Sequence, residues 1–439
     1  MGNFKAHGLA LAWFAWSAWF AVLCSPVTGL AQDTSPASAS LPAPYSAPNS
    51  APYSTPYGEC KLGFWSSNRN LDDSTNRPSA LCGVIWKPKL NAEVSLGFDL
   101  HLGWQDHLST NSTNIRVREA YLAYDISAVS LRLGRQTVAW GRADRINPTD
   151  VLSPKDFTLL SFDDEGQRMG IDAMKLRYAL NPSFSASLLT ARFAAHVTPR
   201  GALPSNLIEP DPPNRPEWAV KLDHSGLGVD WSVSAFDGFD RFTRYRLDLQ
   251  NPAAPVFRGD FERVRSIGAD FATAQGAWTW RGEVSHSQRR PGCNVCAHYQ
   301  RSVSAALVGA DLDFADTMNV NLQLFTSHRS GFAAASGTGG LLQMLESGLN
   351  RLNREYGRQD YGITLRLSDR LLNDRLKWEI SAVLDLTHKS HLIRPRVMWA
   401  LNDRTKLSAG FDFYAGTAQS PFGALRRNQL GFITLGLVF

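Results

Sequence analysis

Three groups of residues in this chain of 439 combine types and spacings that have chemical meaning. The first is a set of cations placed two apart. Arg116 and Arg118 fall between Ile115, Val117 and Ala120; Arg132 falls between Leu131 and Leu133; Lys175 and Arg177 alternate with Met174, Leu176 and Tyr178. Residues two apart share one face of a pleated strand, so these charges form a basic wall on three consecutive strands, with an apolar face behind it. Facing water, such a wall attracts anions; opposed by acids, it sets a transverse field that favours polar solutes. Further charges alternate in the same way: Arg281 with Glu283, Asp311 with Asp313, Arg366, Lys377 with Glu379, Arg394 with Arg396, and Lys406 with Asp412. An equally economical reading is that Arg–carboxylate pairs fill and brace an interior.

The second group lies in the polar stretch from Thr137 to Gly170. It carries Arg142, Asp144, Arg145, Asp150, Lys155, Asp156, Asp163, Asp164, Glu165 and Arg168. Alternation stops at Trp140-Gly141 and resumes at Ile171. A connection of that length is uncommon in a compact domain and is usually functional. The expectation is that it folds inward over the basic wall, pairs its acids with Arg116, Arg118 and Arg132, and narrows a pore. Arg135, on the other face of its strand from Arg132, is expected at the rim.

The third group is a set of reactive side chains that fails each test applied to it. Cys293 and Cys296 are spaced as in a haem attachment motif, but Ala297 stands where that motif needs His. Zinc would require more ligands than two thiols and His298, so a small loop disulfide is the expectation, with no metal and no cofactor. Ser285, His286 and Ser287, or His388 and Ser390, supply parts of a hydrolase. Adjacent residues of a strand point to opposite faces, and no Gly-x-Ser-x-Gly occurs. No catalytic residue is assigned, and an outer-membrane hydrolase is the least favoured function.

Strands must position all of these residues. Val94, Leu96, Phe98, Leu100, Leu102 and Trp104 alternate with polar or small residues, as do Ile433, Leu435, Leu437 and Phe439 at the other end. Segments of the same period between them bring the count to sixteen. The connections alternate as well: short at 126–128, 181–182, 224–228, 274–276, 313–316, 369–373 and 402–403, long at 139–170, 195–215, 238–261, 289–297, 329–357 and 415–427. The link near 388–391 is short where a long one is due. Such sorting fits an all-β, closed antiparallel transmembrane barrel with short periplasmic turns and long extracellular loops, which leaves no backbone group unpaired in lipid. Phe439 is expected to end the last inward strand, and a terminal aromatic there resembles the signal by which Gram-negative outer-membrane proteins are recognised for insertion.

Two further strands, Lys61–Ser66 and Leu81–Lys89, would raise the count to 18. In that hairpin Cys60 falls near the periplasmic end and Cys82 near the outer end, too far for the ~5.5 Å Cα separation of a disulfide. A Cys60–Cys82 bridge would then go with 16 strands and residues 60–90 outside the barrel. The 18-strand arrangement is preferred. Ahead of it, residues 1–31 read as a signal peptide, with an apolar run from Leu9 to Leu23. Residues 32–59, rich in Pro, Ser and Ala, read as a disordered tether, and 60–439 as the barrel.

Net charge is only +5 and charged residues make up 19%, which gives no support to nucleic-acid binding. A plugged, energised transporter needs a folded domain ahead of the barrel, and the Pro-rich stretch is too short to be one. Two strings then carry a resemblance: RVREAYLAY from Arg116 to Tyr124, and LRLGRQTVAWG followed by INPTDVLSPKDFTLL up to Leu160. They resemble a porin-like family of largely uncharacterised proteobacterial outer-membrane barrels, distantly similar to alginate-export channels. The resemblance implies passage of a small or polymeric polar solute, without implying alginate. The expected function is a channel in the cell outer membrane for polar, anionic or polymeric solutes, with outer-membrane lipid and the solute as partners. The alternative is a structural or assembly barrel that works with a periplasmic protein partner through the tether.

Overall fold

The computed structural model describes residues 55–68, 76–108, 113–162, 164–198, 207–226, 228–248, 256–290, 302–314, 317–332, 334 and 340–439. Eighteen of its strands form one antiparallel sheet that closes on itself. They begin with β1 (Tyr57–Ser67), β2 (Asn76–Trp86), β3 (Val94–Trp104), β4 (Thr113–Ile126), β5 (Val129–Gln136), β6 (Ile171–Ala179) and β7 (Phe184–Ala191). Next come Glu217–His224, Val229–Phe239, Arg263–Gln275, Trp278–Arg290, Ser302–Phe314 and Met318–Ser330. Gln359–Leu371, Leu376–Asp385, Ser390–Ala400, Thr405–Ala415 and Leu430–Val438 complete the wall. Each strand pairs with its neighbours in the chain, and the last pairs with the first from Glu59↔Val438 to Ser67↔Leu430. Gly58 and Phe439 exchange both backbone hydrogen bonds at 2.9 Å, which seals the seam.

The period of two sorts side chains between the two sides of this wall. Leu62, Phe64, Leu100, Leu102, Ile115, Leu133, Met174 and Leu176 are exposed on the outer side, and the polar residues between them point into the lumen. Trp86, Tyr178, Trp278, Trp399 and Phe439 are exposed near the short-turn end, and Trp104 and Trp218 near the long-loop end. Aromatic girdles at both edges of an apolar band are how a barrel meets the two interfaces of a bilayer. No helix among the described residues is long and apolar enough to cross a membrane.

At three short-end turns an asparagine carboxamide sets the geometry. Asn91 Oδ1 accepts from the backbone of Glu93 and Val94, Asn181 Oδ1 from Ser183 and Phe184, and Asn402 Oδ1 from Arg404 and Thr405. This side chain mimics a backbone turn. At the opposite end lie a small sheet of Leu207–Ile208, Arg244–Asp248 and Val256–Asp260, and a helix, Leu341–Leu352.

The structure corrects the sequence reading of the first hairpin. β1 begins at Tyr57, inside the stretch read as tether, and β2 begins at Asn76, five residues before the expected Leu81. Asn76 is therefore the outer end of β2, and Cys82 lies toward its short-turn end, directly opposite Cys60. The two are disulfide-bonded. Eighteen strands and the Cys60–Cys82 bridge coexist; their incompatibility came from starting β2 too late.

Candidate functional site

The connection from β5 to β6 does not stand above the barrel; it runs through it. Its first turn is fixed to the near wall, where Thr137 donates through both its backbone N–H and its hydroxyl to Glu119. Val138 N–H donates to Ser153 Oγ at 2.8 Å, and Arg168 bonds Asp150 at 2.7 Å, so both ends of the loop are tied to its middle. Val138, Trp140 and Leu152 pack against Ile171, Ala173, Leu189, Ala191, Ala219 and Phe236. These wall residues point into the lumen and give the loop an apolar seat. A second seat is made by Leu160 against Trp65 and Phe432, whose rings stack at 4.4 Å.

Across the lumen the loop is held by charge. Glu283, 1% exposed, accepts hydrogen bonds from the backbone of Arg142 and Ala143, both at 2.6 Å, and from the backbone and hydroxyl of Thr149 at 3.2 and 3.0 Å. One carboxylate thus satisfies four donors, a charge-assisted arrangement. Gly141 makes it fit: its φ is +90°, and a Cβ there would lie 2.4 Å from Thr149 Oγ1 and 2.5 Å from Glu283 Oε1. Farther along, Arg142 pairs with Asp270 at 2.7 Å, Asp144 with Arg366 at 3.2 Å, and Arg145 with both Glu379 and Asp164, at 2.7 and 2.9 Å. Asp164 also meets Arg394 at 2.5 Å, and Arg396 donates to the Phe162 carbonyl at 3.3 Å.

At the long-loop end, His107 is held between Asp106 at 2.8 Å and Asp156 of the loop at 3.2 Å. Burial alone would lower its pKa, but the bonds to the two carboxylates outweigh that and push it up to about 9. Leu108 N–H donates to the Thr158 carbonyl, and Leu160 N–H to the Asp106 carbonyl, both at 2.8 Å. Phe157 N–H donates to the Val197 carbonyl at 2.9 Å, and Lys155 N–H to His196 Nδ1 at 2.8 Å.

The expected pairing of the loop's acids with the basic wall is overturned. Asp144 and Asp164 bond Arg366 and Arg394 instead, Asp150 and Glu165 bond Arg168 within the loop, and Asp156 bonds His107. Arg116 bonds Asp106, and Arg118 lies 3.5 Å from Asp99, reaching the loop only at the Glu165 carbonyl, also 3.5 Å away. The physical reason is reach. The loop crosses the lumen before it turns, which brings its charged middle to the far wall.

Arg132, Lys175 and Arg177 stand apart. Arg132 and Lys175 are cross-strand partners. Arg132 lies over the Tyr121 ring at 4.5 Å and Arg177 donates to Ser185 Oγ at 3.2 Å. Among the described residues, none of these three cations has a carboxylate within ion-pair distance. Lys221, whose register partner Ser187 is also the partner of Arg177, adds a further cation to the same row and pairs with Asp223 at 2.7 Å. Arg135 forms a two-point bond with Asp172, at 2.8 and 3.0 Å, at the long-loop end of β5.

Sequence reasoning missed the inward position of Glu119. A register shift between Asp99 and Leu100 leaves Arg118 as an extra residue in β4, so Arg118 and Glu119 both serve the lumen. It also missed Glu283 as an anchor, for which no local pattern exists. Asp163, Cys293 and Cys296 lie outside the described residues. His286 bonds Ser304 at 2.8 Å and His388 bonds Asp360 at 2.9 Å, while Ser390 turns to Asp385 at 3.5 Å. The hydrolase parts are not assembled. Among the described residues, no group of His, Cys, Asp and Glu is arranged to hold a metal ion.

A family model described as a protein of unknown function, DUF1302, matches residues 67–194, from the end of β1 to just past β7. The crystal structure of Acinetobacter baumannii OccAB1 is similar over 88% of this chain and 96% of that one, at 8% identity and a TM-score of 0.56. OccAB2 and OccAB3 of the same organism are similar over 88% of this chain and 97% and 98% of theirs, each at 8% identity and a TM-score of 0.53. At such identities the likeness is one of fold. No curated protein matches the chain.

Proposed function

We propose that this protein is an outer-membrane channel for small anionic solutes, with its short turns in the periplasm and its long loops outside. The observation that carries the reading is the unequal lumen. A loop clamped to the far wall narrows the passage, and the near wall keeps Arg132, Lys175 and Arg177 without acid partners. A cation in a water-filled lumen that no carboxylate neutralises is available to a passing anion. The closed fold shared with OccAB1 and the apolar outer band support the location. A lumen crossed by a loop also suits small solutes rather than a polymer.

Planar-bilayer recording tests this. Purified protein under a potassium chloride gradient should give discrete steps of current and a reversal potential on the anion side. Cation selectivity would refute the charge argument. Absence of any current, together with no swelling of vesicles in sugars or organic acids, would favour a structural barrel.

A further inference from the structure

The disulfide lies on an unusual side of the wall. In β1 the lumen side carries Trp65, which donates to Ser79 Oγ of β2 at 3.0 Å, so Leu62, Phe64 and their partner in phase, Cys60, face out. In β2, Arg77 and Ser79 face in, and Val84, Trp86 and Cys82 face out. The neighbours across the next strands on the same side are Leu437, 48% exposed, and Leu102, 51% exposed. Toward the short-turn end, Gly58, covered by the Phe439 ring, comes before Cys60, and Trp86 lies beyond Cys82. The sulfurs therefore sit inside the aromatic edge of the apolar band, Cys60 one outward position from Gly58 and Cys82 two from Trp86 with Val84 between, where hydrocarbon would cover them.

We infer that the Cys60–Cys82 bond is made by thiol–disulfide exchange in water, before the first hairpin enters the bilayer. The chemistry requires it. One cysteine must attack as a thiolate, and an anion is strongly disfavoured in hydrocarbon. The oxidant is a water-borne disulfide, protein or low-molecular-weight. The first thiolate attacks one of its sulfurs and expels the other as a thiolate; the second cysteine then attacks the mixed disulfide and releases the remaining half. Two protons and two electrons pass from the cysteines to the oxidant, which leaves as two thiols, on one molecule if it was a protein disulfide and on two if it was a small one. The hairpin so fixed presents β1 in a set register, and β1 is the edge that the last strand must find. This rests on the membrane reading proposed above.

The test uses the full chain with Cys24→Ser, Cys293→Ser and Cys296→Ser, so that Cys60 and Cys82 are its remaining thiols. Reduced protein is either diluted from urea into buffer or folded into phosphatidylcholine vesicles, and both samples receive glutathione disulfide. Closure is read after denaturation as loss of the gel shift given by a polyethylene-glycol maleimide. The expected result is closure in buffer and none in the vesicles. Closure at a comparable rate in vesicles, or in neither sample, overturns the inference. Should the reduced chain fail to insert while the oxidised chain succeeds, the bond must come first and the inference stands. A cysteine-free chain carrying Leu62→Cys separates the two readings. Labelling of that residue in vesicles by an impermeant maleimide breaks the membrane reading, whereas its protection, combined with closure of Cys60–Cys82 by the two-cysteine chain in the same vesicles, breaks only this inference.

Discussion

The two walls of the lumen use the same residue types for opposite ends. On the far wall, Arg366, Arg394 and Arg396 each meet a carboxylate, and Arg142 and Arg145 of the loop meet Asp270 and Glu379. On the near wall, Arg132, Lys175 and Arg177 meet an aromatic ring, one another's neighbourhood and a serine hydroxyl. A paired arginine braces the loop and has little field left to offer. An unpaired one does no bracing and leaves its field open to the lumen. Counting positive charges in the lumen would merge the two; asking which have partners separates them.

The sharpest way to break this contrast is to remove the braced element. Deleting 143–166 should raise single-channel conductance severalfold, and an unchanged conductance would show that the loop does not limit passage. Glu283→Ala should come next, because it leaves four donors without their acceptor at about 1–3 kcal/mol for each buried group. The expected readout is larger, noisier current and a lower melting temperature. On the near wall the outcome should invert. Arg132→Gln, Lys175→Gln and Arg177→Gln together should shift the reversal potential strongly toward cations and leave stability unchanged or improved. Loss of stability without a selectivity change would assign these residues to bracing. Gly141→Ala, which forces a side chain into the Glu283 nest at a positive φ, should give a milder form of the Glu283 phenotype.

The smallest effect should be that of pH on the His107 latch. Its pKa is raised to about 9, from the ~6.5 of a free imidazole, so the fold favours the protonated ring. The latch contributes fully below about 6.5, weakens as pH rises, and is gone above about 9. Protease nicking of the loop, measured from pH 6 to pH 10, should increase over that window, and His107→Gln should abolish the dependence.

How much of this was legible depended on the range of the interaction concerned. Strands were read from Val94–Trp104 and its repeats because the period is local, and the sorting of short and long connections fixed closure. The destination of the loop was not, because Arg142 and Asp270, or Asp164 and Arg394, are brought together only by closing the ring. The rule that apolar alternation marks the lipid side also failed where Trp65, Leu189, Phe236 and Phe432 turn inward to seat the loop. Sequence alone cannot tell a lipid-facing leucine from one that faces another part of its own chain. In the first hairpin, a β2 boundary placed five residues late at Leu81 instead of Asn76 moves Cys82 from the short-turn half of the strand to its opposite end.

The asparagine turns bear on how quickly such a wall can assemble. At Asn91, Asn181 and Asn402 the register of a hairpin is decided within four consecutive residues. These pairings are local, as are the tighter hairpins closed at Ile126↔Val129 and Gln275↔Trp278, and all should form early, since little chain entropy opposes them. The seam joins Glu59 to Val438, nearly the longest loop this chain can close, and loop-closure entropy grows with length. Folding kinetics should therefore divide into fast steps set by the turns and one slow step set by the seam. Substituting Asn402 should slow the former, while weakening the contacts along β1 should slow the latter.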